Sequence, residues 1–106
     1  MIDRLVELIS VPGNGAVVYS SLGARSWVLT ELNRRLGRPS TPRSGILLYP
    51  GGARVALYDG DGAARTMHGQ QFDWCALVSD KQPIPDGSVL VARLSAQRII
   101  SISISS

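Results

Sequence analysis

The sequence predicts an α+β fold: a small antiparallel β-barrel or sandwich of about six strands that carries two short N-terminal helices. Three observations lead there. Ile2 to Ile9 and Ser21 to Leu36 space their apolar side chains as helices do, and residues 46–106 break into short apolar runs divided by Pro-Gly and Asp-Gly turn signals. The chain then closes on Arg98-Ile-Ile-Ser-Ile-Ser-Ile-Ser-Ser106, an alternation of apolar and hydroxyl side chains with the period of a strand.

Ile2 to Ile9 is apolar at 2, 5, 6, 8 and 9, the pattern of a short amphipathic helix ended by Pro12 and Gly13. Gly15 to Ser20 is β-prone. Ser21 to Leu36 places Leu22, Trp27, Val28, Leu29, Leu32 and Leu36 largely on one side at helical spacing. Ser20 or Ser21 stands ready as N-cap and Gly37 as the C-cap glycine.

Residues 38–45, Arg-Pro-Ser-Thr-Pro-Arg-Ser-Gly, form a proline-punctuated loop, either a plain connector or an arm across a neighbouring subunit. Ile46 to Tyr49 and Ala53 to Tyr58 flank Pro50-Gly-Gly52 as a hairpin. Asp59-Gly-Asp-Gly62 predicts a second reversal before a strand over Ala63 to His68. Trp74 to Val78 is a further strand, and Ser88 to Leu94 with Gln97 to Ser105 make a last hairpin turning near Ser95-Ala96.

With 106 residues, 44% hydrophobic and 18% charged, the chain has material for one core and is read as one domain, 1–106. Within it, residues 1–37 are the helical or mixed part, 38–45 the loop and 46–106 the β-rich part. No run approaches the roughly 18 to 20 apolar residues of a membrane span, and acids near the N-terminus argue against a signal peptide, so no membrane partner and a cytoplasmically made protein are expected. The single cysteine, Cys75, excludes an internal disulfide.

Chemical motifs are few. Asp59-Gly-Asp61-Gly opens like a calcium loop, but Ala63 stands where the next oxygen ligand belongs and no glutamate follows Glu31, so a turn is the better reading. Cys75, His68 and Asp73 compose a thiol, base and orienter on paper. The setting Trp74-Cys-Ala-Leu-Val makes Cys75 a buried hydrophobe, and a Cys/His enzyme is the remotest of three functional readings. One cysteine and one histidine leave zinc short of ligands. The glycine-rich Pro12-Gly-Asn-Gly15 and Pro50-Gly-Gly52 lack the ending of a phosphate loop. No catalytic, cofactor-binding or metal residue is assigned, and no cofactor is expected. Trp27 and Trp74 are expected in the core.

The net charge is +3, and from Ser21 to Ser44 five arginines face Glu31 alone. Arg34, Arg35, Arg38 and Arg43 are therefore the electrostatic candidates. They fit acidic protein partners or, as the alternative function, a small nucleic-acid-binding module whose affinity falls with salt. No aromatic platform accompanies them, and arginines in a helix's last turn also complement its dipole.

The Ile-Ser strand decides the leading reading. An open edge with an Ile100/Ile102/Ile104 face would template aggregation, so the strand is expected inside a closed barrel or paired with another chain. Ile100, Ile102 and Ile104, with Pro39 and Pro42 of the loop, are the interface candidates. The stretch Pro85-Asp-Gly-Ser-Val-Leu-Val-Ala-Arg-Leu94, followed by Gln97-Arg-Ile-Ile100, resembles a hairpin of small β-barrel proteins in tailed-phage tails and necks. That resemblance implies a virion structural subunit, made in the host cytoplasm. The expected function is thus a non-enzymatic assembly protein that binds copies of itself and other structural proteins.

Overall fold

The computed structural model describes residues 2–104. Ten elements run in the order α1 (Ile2–Ile9), β1 (Gly13–Tyr19), α2 (Leu22–Leu36), β2 (Ser40–Arg43), β3 (Ile46–Leu48), β4 (Ala53–Asp59), α3 (Ala63–Thr66), β5 (Trp74–Ser79), α4 (Asp86–Ser95) and β6 (Ile99–Ser103). The six strands lie in one sheet ordered β2-β3-β4-β1-β5-β6. β1 pairs in parallel with both β4 and β5, and β6 pairs in parallel with β5. Only β3 with β4, and β2 with β3, are antiparallel.

The sheet is therefore open and mostly parallel, with helices on both faces, and the expected antiparallel barrel is corrected to a three-layer α/β arrangement. Side-chain alternation along β1 explains the layers. Val17 faces a core built with Leu5 and Ile9 of α1 and Val28 and Leu32 of α2. Ala16 and Val18 face a second core with Ala63 of α3, Met67 directly after it and Ala92 of α4. A central strand dry on both faces must be apolar throughout, which is why residues 15–18 and 74–78 are continuous buried runs.

Both N-terminal helices form where expected. Ser21 caps α2 by accepting from the Ala24 amide at 3.1 Å, and Gly37 ends it at φ 81° with its N–H on the Asn33 carbonyl. The Pro50-Gly-Gly hairpin also forms, closed by the Gly52 N–H on the Tyr49 carbonyl.

Two expected strands are helices. Ser88 to Leu94 belongs to α4, whose sheet-facing stripe is Ser88, Ala92 and Ser95, with Leu90 and Leu94 turned to solvent at 59% and 79% exposure. Ala63 to His68 contains α3, so the turn at Asp59 to Gly62 leads from strand to helix and not from strand to strand. The hairpin that carried the resemblance to phage proteins is consequently a helix followed by a parallel strand.

Candidate functional site

In an open parallel sheet, the crevice at the carboxyl ends of the strands where chain direction reverses is the usual ligand position. Here it lies between β1 and β5, and the chain fills it with its own carboxylate. Ser20 and Ser21 follow β1, and Asp80 follows β5. The Ser21 hydroxyl donates to Asp80 Oδ2 at 2.6 Å, the Ser20 hydroxyl to Oδ1 at 3.1 Å, and the Gln82 N–H to Oδ1 at 2.9 Å. The Ser21 hydroxyl bond, followed by the Gln82 amide, holds the Asp80 carboxyl below its ordinary value. With a carboxylate seated beside the N-terminus of α2, the position that would attract a phosphate is already negative. Ser20 and Ser21 are visible in the sequence as a helix cap, whereas the one sequence signal for Asp80 is its place directly after an apolar strand.

The thiol-based set does not assemble as chemistry requires. Cys75 is buried on β5, and burial pushes its thiol up to about 12, which disfavours the thiolate that attack requires. His68 is exposed beyond α3, and the Asp73 carboxylate accepts from the Asn14 amide at 2.9 Å. Trp74 is in the core and Trp27 packs against it. Among the described residues, no group of three His, Cys, Asp or Glu side chains stands together. No helix among the described residues is long and apolar enough to cross a membrane.

The four electrostatic candidates separate. Arg34 pairs with Glu31 at 3.4 Å, and Arg35 pairs with Asp3 of α1. Arg43 is exposed on β2, while Arg38 lines a groove of about 340 Å³ between α2 and the β2–β3 hairpin. Arg25 lines the same groove with Leu29, Asn33, Pro39, Thr41, Leu47 and Leu57. Arg25, Leu29 and Asn33 were findable as an i, i+4, i+8 series on one helix face.

The interface candidates lie at the two sheet edges. Ile102 is fully buried against the α1/α2 core, and Ile100 and Ile104 pack against the same core half-exposed. The ladder's apolar face is thus satisfied within its own chain. What β6 leaves open is its backbone. The Arg98 carbonyl accepts from the Cys75 N–H and the Ile104 N–H donates to the Ser79 carbonyl, both at 2.8 Å, so even-numbered residues hydrogen-bond β5. By alternation, Ile99, Ser101 and Ser103 turn their N–H and C=O groups outward. The opposite edge, β2, carries the exposed Pro42 and Arg43, devices that blunt strand pairing; Pro39 is half-buried in the groove beside it.

Comparison with protein-family models, with curated proteins and with solved structures finds no match to this chain.

Proposed function

We propose that this chain is a non-enzymatic structural subunit that assembles with copies of itself, edge to edge, through β6. The carrying observation is the asymmetry of the sheet: β2 is guarded by proline and arginine, whereas β6 has neither proline nor charge from Ile99 to Ser103.

The sequence of β6 favours its own copy as partner. Ile100-Ser-Ile-Ser-Ile104 reads the same in both directions. An antiparallel pair centred on Ile102 sets Ile100 opposite Ile104 and Ser101 opposite Ser103, like against like, about a two-fold axis. In that register the outward groups of Ser101 and Ser103 exchange about four hydrogen bonds. At about 1 kcal/mol each these do not offset an association cost of about 4 to 15 kcal/mol, so the Ile100–Ile104 cross-strand contacts must contribute. The contact is accordingly weak and reversible, and assemblies form at high local concentration.

Placement in a phage tail or neck rested on a hairpin over residues 85–100. With Asp86–Ser95 helical, that placement has no structural support, and the proposal stops at self-assembly.

Sedimentation velocity over a concentration series tests it. Self-association should appear by about 100 µM, as expected for a micromolar contact. Ser101→Pro removes an outward N–H and no bond to β5, so it should abolish association with the helical content and melting cooperativity retained. A strictly monomeric wild-type chain, or association unchanged in a folded Ser101→Pro variant, overturns the proposal.

A further inference from the structure

The groove between α2 and the β2–β3 hairpin has the composition of a ligand site that self-assembly does not use. One wall is α2, with Arg25, Leu29 and Asn33; the other is Arg38 and Pro39 of the connection, Thr41 and Leu47 of the hairpin, and Leu57 of β4. Its volume of about 340 Å³ falls within the ordinary range for small-molecule pockets.

The charge in the groove is uncompensated. Among the described residues only Arg34 and Arg35 make ion pairs, and no acidic residue lines the groove. The Arg25 guanidinium lies 6.0 Å from the centroid of the Tyr19 ring, a contact that orients it without neutralising it. In the same groove, Leu29 and Leu57 are half-exposed and Leu47 is buried. Two arginines and three leucines lining one groove match an anion that carries an aliphatic body.

We propose that this groove binds a small organic acid, a carboxylate attached to a short aliphatic chain. The carboxylate takes paired N–H bonds from Arg38 at the C-terminal end of α2, with the Asn33 amide and Thr41 hydroxyl as further donors. The aliphatic chain covers Leu29, Leu47 and Leu57, and Arg25 at the other end of the groove adds a longer-range positive field. A nucleotide fits less well, because no aromatic side chain lines the groove to stack on a base.

Hexanoate, hexanol and inorganic phosphate serve as probes, titrated into the isotopically labelled full chain and followed by amide chemical shifts. Hexanoate should give saturable shifts confined to the amides of Leu29, Asn33, Gly45 and Leu47 by about 10 mM, the millimolar regime of a ligand with few atoms. Hexanol, with the same chain and no charge, and phosphate, with charge and no chain, should each bind at least about ten-fold more weakly. A combined Arg25→Gln and Arg38→Gln variant, checked for an unchanged spectrum elsewhere, should lose hexanoate binding by a similar factor. Equal binding of hexanol or phosphate, shifts outside the groove, no saturation, or an unaffected double variant would each overturn the proposal.

Discussion

Gly15 and Trp74 are register partners across the β1–β5 ladder, and the indole occupies the space that a side chain on Gly15 would need. An added Cβ would lie within 3.0 Å of three indole carbons. Trp74 is 3% exposed in the core beneath α1 and α2, so neither partner has room to retreat.

Gly15→Ala should therefore destabilise the fold by more than about 2 kcal/mol, the scale of an overpacked core. In the Trp74→Leu background the same change should cost much less, since the ring that it strikes is gone. Urea unfolding of the four proteins gives the coupling directly. Equal costs in both backgrounds would show that the glycine is required for another reason.

A second close tie joins α4 to the turn after β4. The Ser88 hydroxyl, fully buried, donates to the Gly60 carbonyl, whose own N–H donates to the Tyr19 carbonyl at 2.8 Å. Ser88→Ala leaves a buried acceptor unmet and should cost about 1 to 3 kcal/mol; Ser88→Thr, which keeps a hydroxyl but adds a methyl in a tight site, should not fully restore it. Denaturant melts of both variants check the order.

That tie also shows why the β-rich half was misread. Along Ser88 to Leu94 the large apolar side chains at 89, 90, 91 and 94 read as a strand, but the helix buries small residues, Ser88, Ala92 and Ser95, at i, i+4 and i+7. Burial here follows fit against the sheet, and hydrophobicity ranks the wrong residues as inside. The helix signals were present in Pro85, in Asp86 of the first turn and in Arg93 of the last. The two N-terminal helices were legible because most of their buried positions are branched aliphatics, Ile2, Leu5 and Ile9 in α1 and Val28 and Leu32 in α2, although Ala24 is buried too and Leu22, expected on the apolar side, is 72% exposed. Parallel pairing was legible only in the unbroken apolar runs at 15–18 and 74–78, since the partners of a parallel strand are set by crossovers far apart in sequence. At the candidate sites the arginine excess was visible. The Arg34–Glu31 pair is an i, i+3 spacing within α2 and was legible, whereas the pairing of Arg35 with Asp3, the placing of Arg25 and Arg38 in the groove and the exposure of Arg43 depend on the approach of α1 and of the hairpin to α2.

Tyr49 carries a buried hydroxyl that meets no hydrogen-bond partner among the described residues, and burial raises its pKa to about 12. A phenol held dry gains nothing from its oxygen. Tyr49→Phe should leave the fold intact and raise its stability by up to about 1 kcal/mol, measured as a higher urea midpoint with an unchanged slope. A loss of stability would mean that the hydroxyl is satisfied in solution.

Asp80 sets a pH dependence whose sign is fixed by its partners. The Ser21 hydroxyl, then the Gln82 amide and the Ser20 hydroxyl, favour the charged carboxylate and hold its folded pKa below the ordinary 3.8. The folded state then binds fewer protons than the unfolded state, so this contribution is fully present above 3.8 and is lost as pH falls through the folded value. Asp3, lowered by its bond to Arg35, follows the same sign. Asp80→Asn should consequently lower the melting temperature at pH 7, and the gap to wild type should close as pH drops below 3.8. Because Asp3 is present in both proteins, its share cancels from the difference. A gap that stays constant down to strongly acidic pH would assign the loss to the shape of the Ser20–Ser21 turn, independent of the charge that it holds.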